Sequence, residues 1–297
     1  MEGRLVPVIT SFDPWNSPLC TCPDKYSVSA YTGCSYKCTY CYITSYIPRA
    51  FNCRAKKNFL NRLRDGMKHA DPGKPISMAN SSDPYPPVEE ELGLTRRALQ
   101  KLLESGFMVL IITKSPLVTR DVDVIKEGNC SVSMSISTLN DKTAKRLEPG
   151  APPPTKRVDA IKRLVRSGVP CSVRVDPLIP RINDEGVEEL VKTMADSDVR
   201  HVVASTYKAK KDSFARVVEA FPEAGERLTK FYWSIGKQIG RSRYLPREMR
   251  YEILLGLKKL VEERGLTYAT CREGMLNLQS GKTCDGSHLI QKRKKVK

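Results

Sequence analysis

The chain has 297 residues, 40% of them hydrophobic and 28% charged, the composition of a soluble globular protein with room for one large domain or two small ones. No apolar run approaches the ~20 residues that cross a bilayer, and the start MEGRLVPVITSFDPW lacks the basic and apolar blocks of a secretory leader, so the expected compartment is the cytoplasm. The 50 Lys and Arg against 33 Asp and Glu give a formal charge of +17, which favours a polyanion such as nucleic acid as partner, with a solvated basic surface as the plain alternative.

In chain order, residues 1–27 read as an N-terminal segment carrying Cys20 and Cys22 in LCTCPDK. A first strand around YSVSAYTG leads into GCSYKCTYCY, which places Cys34, Cys38 and Cys41 within eight residues. Short apolar runs follow: PISMANS at 75–81, FMVLIITKS at 107–115, CSVSMSIST at 130–138, PCSVRVDPLIP at 170–180 and RHVVAST at 200–206. Amphipathic stretches separate them. In LTRRALQKLLESG, Leu99, Leu102 and Leu103 share a face before Gly106; in TKRVDAIKRLVRSG, Val158, Ile161, Leu164 and Val165 do so before Gly168. Strand and helix alternating in this way predict a parallel sheet with right-handed crossovers. The Pro-rich EPGAPPPTK lies between a strand and its helix and reads as a loop, not a linker.

Strand phase separates a doubly wound sheet from a barrel. Ser131, Ser133, Ser135 and Ser137 share one face of their strand while Val132, Met134 and Ile136 share the other. Likewise Ser172, Arg174 and Asp176 oppose Cys171, Val173 and Val175. A parallel strand covered by helices on both sides is apolar on both, so the polar face predicts a lumen. The fold class is therefore a partial (βα)6 TIM-like barrel over residues 28–207, holding a polar ligand at the C-terminal ends of its strands. Cys130 and Cys171 fall in phase with the apolar face and read as packing residues; Cys53 stays ambiguous.

Residues 208–290 read as a helical C-terminal extension, with FPEAGERLTKFYWSIGKQIG as one of its helices and Phe231, Tyr232 and Trp233 facing either a core or a stacking partner. The extension also carries Cys271 in ATCREG, and Cys284 with His288 in KTCDGSH; QKRKKVK at 291–297 reads as a disordered basic tail.

In a reducing compartment, clustered cysteines point to metal or redox chemistry rather than disulfides. Thiolates at C-x3-C-x2-C spacing on one loop reach three corners of an iron-sulfur cubane and leave the fourth iron open for chemistry. A structural zinc site would need a fourth ligand, and none of the chain's three histidines lies near this loop. Cys20, Cys22, Cys271 and Cys284 are candidates for an auxiliary [4Fe-4S] cluster; Cys271, Cys284 and His288 with one more ligand for zinc; or four unrelated cysteines. No H-E-x-x-H or comparable pattern supports a zinc hydrolase.

With Tyr40 before its last cysteine, the loop resembles the signature of the radical S-adenosylmethionine (SAM) enzymes. YTGCSYKCTYCY, NSSDPYPP, ITKSPLVTRD, RLEPGAPPP and RVDPLIPRIND are similar to the branch related to spore photoproduct lyase, over roughly residues 15–205. The resemblance implies that Cys34, Cys38 and Cys41 hold a [4Fe-4S] cluster whose open iron chelates SAM. Reductive cleavage of SAM then yields a radical that abstracts hydrogen from substrate, with a ferredoxin or flavodoxin as electron donor. It further implies that Ser82, Lys114 and Ser135 grip the amino and carboxylate ends of SAM, that Arg174 meets its carboxylate or ribose, and that the backbone around Tyr40 to Tyr42 meets the adenine. A carboxylate in a barrel mouth does call for cations and hydroxyl donors. One departure stands out: photoproduct lyases place a hydrogen-donating cysteine where this chain has Asn80, so lesion repair by that route does not carry over. The expected function is a radical SAM lyase or modifying enzyme acting on an unidentified substrate, with nucleic acid as a candidate. The rival is an iron-sulfur or zinc nucleic-acid-binding protein without radical chemistry.

Overall fold

The computed structural model describes residues 7–12, 17–78 and 81–291. Asn80 and most of the basic tail, 292–297, lie outside the described residues.

The main sheet holds eight strands among the described residues: β1 (Ile9–Ser11), β2 (Tyr26–Val28), β3 (Ile76–Met78), β4 (Val109–Thr113), β5 (Cys130–Ser135), β6 (Cys171–Leu178), β7 (His201–Thr206) and β8 (Thr267–Thr270). They lie side by side in chain order. β1 runs antiparallel to β2, and every later neighbour is parallel. A doubly wound sheet reverses its strand order at a switch point. This one never does, so it is the wall of a barrel left open between β1 and β8.

The sequence expectation of six parallel strands holds for β2 to β7. The C-terminal extension is helical over Lys211–Ala220, Pro222–Thr229 and Arg247–Glu262, and it then adds β8 as a seventh parallel strand, paired with β7 from Thr267↔His201 to Thr270↔Ala204. FPEAGERLTKFYWSIGKQIG is not one helix. Its α-helix ends at Thr229, a wider π turn spans Lys230–Ser234, and Lys237–Ile239 pairs with Ser242–Tyr244 as a hairpin. Of its aromatics, Tyr232 is fully buried and donates its hydroxyl to the Tyr207 carbonyl at 3.1 Å, while the Trp233 ring meets Phe214 edge to face.

The two faces of each strand sort as their alternation requires. Val132, Met134, Val173, Val175, Val202, Ala204 and Tyr268 join the core under the helices, together with Leu99, Leu102, Ile161, Leu164, Leu190, Met194, Leu254 and Val261. Cys130 and Cys171 belong to that core, as their phase predicted, and Cys53 packs half-buried at its edge. The opposite face carries Ser131, Ser133, Ser135, Ser172, Arg174, Asp176, His201 and Ser205 into the lumen, all in the alternate phase. The Oγ atoms of Ser131, Ser133 and Ser172 are buried there without a hydrogen-bond partner among the described residues.

Candidate active site

Gly33 starts the cysteine loop because nothing larger fits. Its φ is +77°, and a Cβ there would lie 2.4 Å from the Asn52 carbonyl oxygen and 2.9 Å from that of Ala50. The Cys34 N–H then donates to the Ala50 carbonyl at 2.8 Å, Lys37 takes a left-handed φ of 52°, and the Cys41 N–H donates to the Cys38 carbonyl at 3.1 Å. The loop is therefore a tight turn with three thiols on it.

Two distant segments hold that turn. The Thr39 N–H donates to the Leu147 carbonyl at 2.8 Å, and the Gly150 N–H donates to the Tyr36 carbonyl at 3.0 Å, so the RLEPG stretch lies directly against the loop. A Cβ on Gly150 would stand 2.5 Å from the Ser35 carbonyl oxygen, which explains a glycine there. From the extension, Arg216 on the helix Lys211–Ala220 donates to the Thr39 carbonyl at 3.2 Å and the Cys41 carbonyl at 2.9 Å. The Tyr36 hydroxyl adds a bond to the Tyr85 carbonyl at 2.7 Å.

Each of the three thiols lies within the electrostatic reach of the others. Burial pushes the Cys34 thiol up to about 12, with the Asp83 carboxylate adding to it. Burial also raises Cys38, helped by Glu148, and raises Cys41, where the Ile43 N–H, Lys114 and Arg216 offset part of the effect. Metal-free, these groups are neutral thiols, and ligation would displace their protons. The donor set fits an iron-sulfur cluster: three thiols on one turn, no imidazole or carboxylate among them, and the cations Lys114 and Arg216 near enough to balance thiolate charge. Among the described residues, no group of three or more His, Cys, Asp or Glu side chains is gathered as for a single metal ion.

Lys114, just past β4, points its ammonium at Glu148 Oε1 at 3.6 Å and over the Tyr40 ring at 5.7 Å. Burial opposes its charge, but Glu148 and Cys38 outweigh that and hold its pKa above the usual lysine value. Glu148 also pairs with Arg157 at 2.5 Å and accepts from the Tyr40 hydroxyl and from Ser137 Oγ at 3.3 Å. Burial alone would raise the Glu148 carboxyl; Lys114 and Arg157 bring it down to about 2. Asp83 accepts from Thr113 Oγ1 at 2.6 Å and from the Lys114 N–H at 2.7 Å, which fixes the backbone from which Lys114 projects.

The remaining expected residues continue along the same sheet, where Ser135 on β5 stands in register with Arg174 on β6. Ser82 is buried beside Asp83, and Ser135 ends β5 with its carbonyl accepting from Arg157 Nη1 at 3.0 Å. Arg174 is paired with Asp176 at 2.7 Å and also hydrogen-bonded to the Cys271 thiol, while Ser205 Oγ donates to Asp176 at 2.6 Å. Burial pushes the Asp176 carboxyl up, but Arg174 and Lys208 hold it at about 2. Tyr42 stacks on Tyr46 with ring centroids 6.1 Å apart and feels the charges of Arg272 and Asp176. Sequence reading missed Glu148, Asp83 and Arg216. The first two sit inside stretches singled out above, RLEPG and SSD, but a lone carboxylate in a loop gives no sign of its partners; Arg216 gives no local sign at all.

Comparison with known proteins decides the family. The radical SAM superfamily model matches residues 28–194, more than half of the chain. This chain belongs to the radical SAM superfamily. An uncharacterized protein of Methanocaldococcus jannaschii is 30% identical over 210 residues, covering 69% of this chain and 80% of the relative. The radical SAM Nα-GlyT isomerase of Pseudomonas phage M6 is 23% identical over 251 residues, 81% of this chain and 52% of the isomerase, so the chain spans about half of that relative. Spore photoproduct lyase of Bacillus subtilis is 26% identical over 235 residues, 72% of this chain and 68% of the lyase. A solved spore photoproduct lyase variant with bound AdoMet and dinucleoside spore photoproduct shares the fold, with a TM-score of 0.61 at 18% identity over 86% of this chain and 75% of that one. This radical SAM enzyme thus has relatives named as a lyase and as an isomerase, and its family implies a [4Fe-4S] cluster and SAM. No helix among its described residues is long and apolar enough to cross a membrane.

Proposed function

We propose that this protein cleaves SAM reductively at a [4Fe-4S] cluster held by Cys34, Cys38 and Cys41 and abstracts hydrogen from a nucleic acid substrate. The observation that carries the reading is the three-thiol turn, fastened from both sides by Leu147–Gly150 and Arg216 and facing the Lys114 ammonium. When bound, the cluster supplies the electron that breaks the sulfonium bond; a ferredoxin or flavodoxin would deliver it.

The chain's own residues do the rest. Lys114 offers a buried cation to the carboxylate of SAM, with Ser82 and Ser135 as neighbouring polar groups for its amino-acid end and Arg174 beside Ser135 on the next strand. Tyr40 and Tyr42 bracket the last cysteine and would flank the adenine. The buried lumen keeps water and stray hydrogen donors away from the reacting atoms.

Nucleic acid as the substrate class rests on the charge of +17 and on the dinucleoside ligand of the photoproduct lyase structure. Two measurements test the proposal. Anaerobic reconstitution should load about four more irons per wild-type chain than per Cys38→Ala chain. Affinity for DNA or RNA should fall at least about tenfold between 50 and 200 mM salt, as phosphate contacts require. Equal iron in the two proteins would sink the cluster assignment, and the lack of any salt-sensitive binding would sink the substrate class.

A further inference from the structure

The two ends of the chain cross each other, and four thiols lie along the crossing. The Gly274 N–H donates to the Leu19 carbonyl at 3.3 Å, Gln279 Nε2 donates to Thr21 Oγ1 at 2.9 Å, and Lys25 forms a buried ion pair with Asp285. Residues 281–286 are wedged into the lumen: a Cβ on Gly281 would be 2.6 Å from the His201 ring, and one on Gly286 would be 2.9 Å from Ser172 Oγ. Along this seam the Cys284 thiol donates to Cys22 Sγ at 3.5 Å. The Cys20 and Cys22 thiols are hydrogen-bonded to each other, and Cys20 Sγ also accepts from the Cys22 N–H at 3.5 Å. Cys271, at the end of β8, stands close enough for its charge to be felt by both Cys20 and Cys284.

Ordinary packing does not account for this gathering. Buried free cysteines behave as small hydrophobes, and Cys130 and Cys171 do so in the main core. None of Cys20, Cys22, Cys271 and Cys284 belongs to either hydrophobic core of the described residues. Their neighbours are Thr21, Lys25, Asp285 and Arg174. All four are free thiols, not disulfides.

We propose that Cys20, Cys22, Cys271 and Cys284 hold a second, thiolate-bound metal centre that clasps the N-terminal segment to the C-terminal extension. Four thiolates without a carboxylate or imidazole form the donor set of a tetrahedral zinc or an iron-sulfur cluster. Zn–S bonds of about 2.3 Å put neighbouring sulfurs about 3.8 Å apart, close to the 3.5 Å between Cys22 and Cys284; a cubane spreads its thiolates over separate irons and would open that pair. Either way the thiols must rotate to close on the metal, since no three of them are yet gathered as for a single ion. Lys25 beside Cys22 and Arg174 beside Cys271 would balance the negative charge of the filled site.

The centre can be tested independently of the signature loop. The full-length chain carrying Cys34→Ala, Cys38→Ala and Cys41→Ala would be reconstituted in parallel with zinc alone and with iron plus sulfide, and its metal counted. One zinc per chain supports the proposal with a single ion, and about four irons supports it with a cluster. Adding Cys22→Ser and Cys284→Ser should abolish whichever is bound. Binding of neither metal by the triple variant, or unchanged binding after the two further substitutions, overturns it. Because variants can misfold, the wild-type protein supplies a second readout: mass-spectrometric mapping of alkylation should find these four cysteines protected until a chelator is added, and equal labelling with and without chelator overturns the proposal.

Discussion

Glu148 offers the sharpest test of how the loop is held. Its carboxylate is buried against Arg157 at 2.5 Å and Lys114 at 3.6 Å, and it takes the Tyr40 hydroxyl as well. The fall of its carboxyl from 4.5 to about 2, at roughly 1.4 kcal/mol for each tenfold step, is worth about 3 kcal/mol of folding stability. Because the folded value is depressed, this contribution is complete above about pH 4.5 and disappears as the pH falls toward 2. Glu148→Gln keeps the shape but strands two buried cations, so at pH 7 it should destabilise the protein by about 3 kcal/mol, within the range of about 3–5 kcal/mol for breaking a buried ion pair. In thermal denaturation of the metal-free protein this is a drop of roughly 6–10 °C. Combining it with Arg157→Met should recover part of the loss, since one stranded charge is removed along with its partner. A melting temperature within about 2 °C of wild type for Glu148→Gln would refute the reasoning.

Three further outcomes follow from the same geometry. Gly33→Ala puts an L side chain on a left-handed backbone with its Cβ only 2.4 Å from the Asn52 carbonyl oxygen; it should cost about 2–4 kcal/mol in urea denaturation and lower iron loading. Arg216→Lys should speed the loss of iron to a chelator, because a single ammonium cannot span the Thr39 and Cys41 carbonyls that the guanidinium bridges. Lys114→Met should weaken SAM binding about 10- to 100-fold in equilibrium dialysis, the cost of about 1.5–3 kcal/mol for a hydrogen bond to a charged group; an unchanged dissociation constant would remove Lys114 from the SAM site.

The parts of this molecule that could be read from sequence are those whose causes are local. Three cysteines on one turn announce themselves, and the alternation of Ser131, Val132, Ser133 and Met134 shows which face of β5 lines a lumen before any neighbour is known. The strands at 130–135, 171–178 and 201–206 lie within the apolar runs that suggested them. The rest depended on long-range partners. β8 is four residues long and runs straight into Cys271, so only its pairing with β7 identifies it as a strand of the barrel. FPEAGERLTKFYWSIGKQIG reads as one helix, yet the chain leaves the helix after Ser234 to form a hairpin packed so closely that a Cβ on Gly236 would lie 2.6–2.7 Å from the carbonyl oxygens of Phe231, Tyr232 and Tyr244. The meeting of Cys22 with Cys284 spans 262 positions and leaves no trace in spacing.

The central claim is that the thiol turn of Cys34, Cys38 and Cys41 supports reductive cleavage of SAM. Anaerobically reconstituted protein, given SAM and a strong low-potential reductant, should release 5'-deoxyadenosine, and the Cys34→Ala, Cys38→Ala and Cys41→Ala proteins should each release none. A wild-type preparation that carries its full iron content and still yields no 5'-deoxyadenosine would contradict the account.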